Sequence, residues 1–449
     1  MFVDREEELR HIREKLESDK FELIALYGRR RIGKTRLILE AVKGKEHIYY
    51  LAVEGDNLKY FRNVASRVVP DIKYVEKDWE SYFRFLKNRI VVIDEFPNLI
   101  RENKNVVSLF QRIVDMELQN TRTKIILSGS SISMMSEKVL SYRSPLYGRR
   151  TSSLKLQPLK FRDIILFFPE AKPRELVEIY GFAGGVPYYL EKVKTPFWKW
   201  LEREFKNPGS FVKDEIDFIM KYEFEEAATY KKILEAIAMG KNTPKEMKEY
   251  IGMRHSDITP YIRNLIYTEF VEREVPVTEN IKSKRGRYFI KDNFTAFWFR
   301  YIFPNLSAIE EGIFDVNLVK KDYPRYLGRV FEHIAKEFII ERSRMGKMPF
   351  RPMKIGRWWY KNEEIDIVAI NENSGDILFA EIKWRDNING ERIVEELREK
   401  ARMVRWKNEN RKEYFLVFAR SFKKKISGIC FDLNDILMYS KSPHLSNKT

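Results

Sequence analysis

Three short stretches of this 449-residue chain bring together residue types at spacings that can do chemistry. The first reads G-R-R-R-I-G-K-T from Gly28 to Thr35. It fits G-x-x-x-x-G-K-[ST], in which glycines let backbone N–H groups approach phosphate, the lysine neutralises the outer phosphates and the hydroxyl reaches Mg²⁺. Gly28, Arg29, Arg30, Arg31, Ile32, Gly33, Lys34, Thr35 and the adjoining Arg36 are therefore the expected ATP cradle. The second stretch, R-I-V-V-I-D-E-F, ends an apolar run in two carboxylates. Asp94 suits the Mg²⁺ shell beside Thr35, and Glu95 suits polarising an attacking water. In the third, Asp366 lies in E-I-D-I-V-A-I, and Glu381 and Lys383 lie in I-L-F-A-E-I-K-W. Two carboxylates can share a hard cation, and a spacing of two puts Glu381 and Lys383 on one strand face, with Lys383 beside an attacking water or a phosphate.

These groups need elements to hold them. Phe21–Tyr27 reads as a buried strand and Arg36–Val42 as the helix whose N-terminus receives an anion. Glu46–Val53, Arg89–Phe96 and Lys124–Ser131 continue the series of strands, with a helical stretch around Leu58–Val69 between them, as a parallel α/β sheet requires. Adjacent acids fit a doubly buried strand only at its carboxyl end, where such a sheet binds ligands. In K-I-I-L-S-G-S-S, Ser128 and Ser130 are either γ-phosphate sensors or caps for the next helix. In S-P-L-Y-G-R-R-T, Arg149 and Arg150 are either a γ-phosphate contact, in cis or across a subunit boundary, or an exposed pair. An amphipathic helix over residues 3–16 precedes the first strand.

The chain has room for several domains, and its single cysteine, Cys430, admits no internal disulfide. With no leader-like N-terminus and no apolar run near a bilayer span, the expectation is a soluble, cytoplasmic protein with no membrane partner. A net charge of +17 suits a polyanionic partner, DNA first. The excess is spread along a chain in which a third of residues are charged, so thermophilic surface chemistry is the competing reading.

The phosphate loop with V-V-I-D-E-F, I-L-S-G-S-S, S-P-L-Y-G-R-R-T and G-F-A-G-G-V-P-Y-Y-L (Gly181–Leu190) resembles the archaeal ATPase family, a STAND-like branch of the AAA+ enzymes, over roughly the first 210 residues. That resemblance implies a P-loop core, a small helical lid that reports on nucleotide state, and an Asp4-Arg5-Glu6 motif folded over adenine; a plain solvated helix face is the alternative for the last. Farther along, a helix at Tyr326–Ile340 carrying Glu332, the strand with Asp366 and the Glu381-x-Lys383 strand resemble the PD-(D/E)XK nuclease superfamily and the C-terminal domain of many archaeal ATPases. The resemblance implies that Asp366 and Glu381 bind Mg²⁺ or Mn²⁺, that Lys383 stabilises charge, and that Glu332 supports the metal. Ile365 stands where a proline is usual.

Between the two ends, helices over 227–239, 244–250 and 256–269, a strand at 271–275 and the basic K-S-K-R-G-R before R-Y-F-I give a winged-helix outline. Arg254, His255 and Arg263 would face a groove, and Lys282, Lys284, Arg285 and Arg287 would meet phosphate; protein docking is the alternative use. The aromatic run Asp292–Tyr301 reads as core. The expected fold is an α/β P-loop AAA+/STAND-like core (1–155), a helical lid (156–210), a winged helix (211–304) and a restriction-endonuclease-like α/β domain (305–449). The expected function is ATP binding and hydrolysis that control DNA binding and a metal-dependent nuclease. The alternative is a nucleotide-dependent switch or scaffold with an inactive nuclease-like domain, with replication-initiator-like remodelling a third reading; homo-oligomers fit each.

Overall fold

The apolar runs of the N-terminal third pair into one parallel sheet in the computed structural model, which describes residues 3–253, 255 and 257–438. Its strands are β1 (Glu22–Tyr27), β2 (His47–Leu51), β3 (Ile90–Asp94), β4 (Lys124–Gly129) and β5 (Ser152–Lys155), in the order β2-β3-β4-β1-β5. All neighbours run parallel, so every strand delivers its carboxyl end to the same edge. Helices α1 (Glu6–Glu17) and α2 (Lys34–Val42) flank β1 in the chain. Leu23, Ala25, Val91, Ile93, Ile125 and Leu127 point into a core filled by Phe61, Tyr82, Phe83 and Phe110. Strand β3 stops at Asp94 because Glu95 takes φ +54°, a left-handed turn that no strand continues through.

Contacts divide the chain into two units: residues to Leu159 with Val186–Tyr188, and Lys160–Gly185 with everything from Tyr189 onward. In the second unit, helix α3 (Pro173–Ala183) precedes a set of three helices, α4 (Ala227–Ala238), α5 (Pro244–Ile251) and α6 (Thr259–Tyr267). Helix α5 starts on a capping box, with Thr243 and Glu246 exchanging side-chain and backbone bonds and Pro244 in its first turn. An antiparallel hairpin follows, β6 (Val271–Glu274) with β7 (Arg287–Ile290), in which Glu274 faces Arg287. Phe294, Phe297, Trp298 and Phe299 are fully buried, and the Trp298 indole donates to the Val212 carbonyl at 2.9 Å, so the aromatic run is core as expected.

The long helix α7 (Val316–Arg344) leads into a mixed sheet of β8 (Lys354–Tyr360), β9 (Glu363–Asn371), β10 (Asp376–Lys383), β11 (Lys412–Ala419) and β12 (Cys430–Asp432), ordered β12-β11-β10-β9-β8. Strand β9 runs antiparallel to both its neighbours, β8 and β10, whereas β11 and β12 continue the sheet in parallel with β10. Helix α8 (Gly390–Ala401) links β10 to β11, as a parallel pair requires.

Candidate functional site

Glycine is required where the chain leaves β1. Gly28 has φ +152°, and a Cβ there would lie 2.6 Å from the Leu156 carbonyl oxygen and from Ile32 Cδ1. Arg31 at φ +70° and Gly33 at φ +92° then curl the backbone so that α2 begins at Lys34 with its N–H groups facing the loop. The Lys34 ammonium is buried and donates to the Gly28 carbonyl (3.0 Å), the Arg29 carbonyl (2.9 Å) and Ser130 Oγ (2.9 Å). Ile32 is buried, Arg29 and Arg30 are half-buried, and Thr35 and Arg36 are exposed. The Arg31 guanidinium lies 3.9 Å over the Tyr188 ring.

Beside the loop, Thr35 Oγ1 donates to Asp94 Oδ2 at 2.6 Å, and the Tyr49 hydroxyl donates to the same oxygen at 2.8 Å. Burial, with the Asp94 carboxylate next to it, pushes the Tyr49 phenol well above its ordinary value, so it remains a donor. Asp94 Oδ1 accepts the Glu95 N–H at 3.0 Å. The Glu95 carboxylate accepts from both the Ser130 hydroxyl and, at 3.2 Å, the Ser130 N–H. Ser130 thus sits in one continuous chain, Lys34 to Ser130 to Glu95. A left-handed non-glycine residue is strained, and here the strain falls on the acid at the end of β3. A hydroxyl, a carboxylate and a buried ammonium around an anion-binding helix start form a donor set that fits a Mg²⁺-nucleotide.

Other candidates lie elsewhere in this unit. Arg149 makes two bonds of 3.0 Å to the Asp115 carboxylate, and Arg150 lies 5.3 Å over Tyr147. The Ser128 carbonyl accepts the Phe96 N–H at 2.8 Å, and its side chain is buried. Arg5 is buried and donates to the carbonyls of Gln157 (2.6 Å) and Ile32 (3.5 Å), which ties the N-terminal motif to the base of the loop.

The second carboxylate group forms where β9 and β10 diverge. Ala380 pairs with Ile367, and one step beyond, the Ile382 N–H donates 2.8 Å to Asp366 Oδ2. Burial and then the Glu381 carboxylate push the Asp366 carboxyl above its ordinary range. Glu381 is 5% exposed; its Oε1 accepts from Lys383 at 2.6 Å and from Lys400 of α8 at 3.1 Å, while its Oε2 is buried with no hydrogen-bond partner. An orphaned buried carboxylate oxygen beside a second carboxylate fits a divalent cation. Burial lowers the Lys383 ammonium, but the Glu381 and Asp366 carboxylates together outweigh it and the net shift is upward, so the lysine stays charged. Glu332, on α7, is engaged by the Arg357 guanidinium, which also grips Glu364 of β9.

The basic hairpin splits in two. Lys282 and Lys284 are exposed, whereas Arg285 donates to the Trp359 carbonyl at 2.9 Å and Arg287 pairs with Glu364 at 2.9 Å. His255 and Arg263 are exposed, and Arg254 lies outside the described residues. Among the described residues, one acid-histidine group, Glu272, Glu274 and His333, brings ligand atoms within 4.8 Å, but Arg329 already sits 2.8 Å from Glu274. Sequence reading missed Tyr49, Lys400 and Arg357: a tyrosine in an apolar strand, a lysine on a charged helix and an arginine among tryptophans carry no signal of their own.

A model of the ATPase domain found predominantly in Archaea matches residues 2–193, and a model of archaeal and bacterial proteins of unknown function matches residues 298–399. An uncharacterized protein of Methanocaldococcus jannaschii is 60% identical over 439 residues, covering 97% of this chain and all of its own length. Among solved structures, the Walker-type ATPase of Pyrococcus abyssi superposes with a TM-score of 0.53 at 22% identity, over 67% of this chain and 96% of its own. The ORC2 protein of Aeropyrum pernix gives 0.45 at 14% identity, over 69% and 93%. Among the described residues, no helix is long and apolar enough to cross a membrane.

Proposed function

The chain belongs to the archaeal P-loop ATPase family, and from that premise we propose that it binds and hydrolyses ATP and uses the nucleotide to govern a DNA-binding middle domain and a metal-dependent nuclease-like domain. The observation that carries the first half is the meeting of Thr35, Asp94 and Glu95 beside Lys34 at the sheet's carboxyl edge. Lys34 would neutralise the outer phosphates, Thr35 and Asp94 would hold the cation, and Tyr49 steadies the Asp94 carboxylate by donating to the same oxygen that accepts from Thr35. The Mg²⁺ held there would supply charge neutralisation for the phosphates. Glu95 orients the attacking water, and Ser130 ties its carboxylate to the ammonium that meets the γ-phosphate, so phosphate contact and water activation share one hydroxyl.

The second half rests on the Asp366–Glu381 pair with its orphaned oxygen and on Lys383. These carboxylates would hold Mg²⁺ or Mn²⁺, which lowers the pKa of a bound water and draws charge from a phosphate. Lys383 would stabilise the developing charge. The three helices and hairpin are read as a winged helix, with Lys282 and Lys284 available to DNA phosphate. One observation favours a switch with a silent nuclease-like domain: two lysines share one oxygen of Glu381, Oε1.

The deciding experiment incubates the protein with plasmid, branched and single-stranded DNA in Mg²⁺ or Mn²⁺, with and without ATP, alongside Asp366→Ala and Lys34→Ala. Cutting lost in Asp366→Ala and altered in Lys34→Ala is the expected result. ATP turnover without cutting under any condition would overturn the nuclease half and leave the switch.

A further inference from the structure

The acid that the sequence offers as a third metal-supporting group, Glu332, lies in the grip of an arginine, and the arginine is held from the hairpin. Strand β8 breaks register between Gly356 and Trp358, so Arg357 sits at a bulge, the device by which a strand re-aims one side chain. Its backbone is pinned there: the Arg357 carbonyl accepts the Val277 N–H at 3.0 Å, and Val277 packs in one apolar cluster with Trp358 and Ile365. Its guanidinium, only 12% exposed, engages Glu332 and Glu364 and lies 3.7 Å from Glu274. Arg287 closes a ring by pairing with Glu364, and it stacks on Trp359 at 4.6 Å. Glu274 and Arg287, register partners on the hairpin, therefore meet Arg357 and Glu364 on the C-terminal sheet. The Arg357 charge is also felt by Asp366, where it opposes the upward push of Glu381.

A buried cation wedged between carboxylates does two things to a neighbouring metal centre. It repels a divalent ion, and it takes the carboxylate that would otherwise complete the ion's shell. We propose that Arg357 is a positioning residue that withholds Glu332 from the metal held by Asp366 and Glu381, so that the centre binds with two carboxylates while the hairpin is seated and gains a third only when Arg357 is displaced. The inference rests on the reading of Asp366 and Glu381 as a metal centre.

The test is a double-mutant cycle on Mn²⁺ affinity, read from free Mn²⁺ by electron paramagnetic resonance on the full chain without nucleotide. Only the binding removed by Asp366→Asn is counted, which separates this centre from the nucleotide site. Glu332→Gln alone is expected to change Mn²⁺ affinity by less than about twofold, because the withheld acid is not a ligand. Arg357→Gln is expected to tighten binding at least about fivefold, and Glu332→Gln in that background to abolish the gain. Arg357→Lys, which keeps the charge but not the fork, should fall between. Equal weakening by Glu332→Gln in both backgrounds would overturn the proposal, as would weaker binding in Arg357→Gln. If Arg357→Gln does not fold, Glu332→Gln decides alone: a loss as large as that in Asp366→Asn refutes withholding. Absence of any Asp366-dependent Mn²⁺ binding would instead refute the metal centre itself, and this inference with it.

Discussion

Replacing Ser130 by alanine should uncouple Lys34, proposed to meet phosphate, from Glu95, proposed to activate water. In the native site the hydroxyl accepts from Lys34 at 2.9 Å and donates to Glu95, whose other oxygen holds the Ser130 N–H at 3.2 Å. Alanine removes the first two bonds and leaves the third. A hydrogen bond to a charged partner contributes about 1.5–3 kcal/mol. The left-handed backbone at Glu95 stores roughly 1–3 kcal/mol of strain that such bonds must offset. If the lost bond is expressed in the transition state, at about 1.4 kcal/mol per tenfold, kcat for ATP hydrolysis falls by about tenfold to about a hundredfold. Binding of a fluorescent ATP analogue should change far less, because the loop's N–H groups and Lys34 remain. Ser130→Thr, which keeps a hydroxyl, should recover most of the rate. The assay is phosphate release at saturating ATP beside equilibrium titration of the analogue. A kcat within twofold of native in Ser130→Ala would show that the Lys34–Ser130–Glu95 chain has no part in turnover.

Tyr49→Phe removes one of the two donors on Asp94 Oδ2 while preserving the ring. With about half of that 1.5–3 kcal/mol bond expressed in cation binding, the Mg²⁺ concentration for half-maximal hydrolysis should rise by about threefold to tenfold, with nucleotide binding in EDTA unchanged. At the other centre, burial and Glu381 raise the Asp366 carboxyl to about 6. Because the folded group binds its proton more tightly than the unfolded one, stability falls as pH rises from about 4 through about 6. Asp366→Asn should therefore melt above the native protein at pH 7.5 and level with it near pH 4, and a melting difference independent of pH would refute this. Gly28→Ala, whose Cβ would meet the Leu156 carbonyl, should abolish ATP binding while the full chain still melts cooperatively; a variant that binds ATP normally would contradict the assigned loop geometry.

Much of this was legible because burial on both faces writes itself as an apolar run. Strands β1 to β4 fall within a few residues of their apolar stretches, and the acids at the end of β3 stand where a parallel sheet must put them. Strand β5 escaped notice because S-S-L-K lies at the sheet edge and needs no apolar pattern. Helix α7 begins at Val316, ten residues before its expected start at Tyr326, since Pro324 reads as a stop; burial of Val316, Val319 and Tyr323 outweighs the lost backbone bond. The order Glu332, Asp366, Glu381-x-Lys383 was visible, but the partner of Glu332 was not. A bulge is a property of two paired strands, and nothing in K-I-G-R-W-W-Y says that its arginine will be turned toward α7. Likewise, Tyr49 becomes relevant only because β2 neighbours β3.

The N-terminal unit takes three of its residues, Val186–Tyr188, from beyond Leu159. A ribosome delivers the chain in order, so this unit cannot finish assembling when its last strand emerges: the Tyr188 ring that receives Arg31 of the phosphate loop is still unmade. The loop's arginine thus waits on a later part of the message for that ring, and a fragment ending at Leu159 would carry every residue of the loop motif but lack the Tyr188 ring on which Arg31 lies.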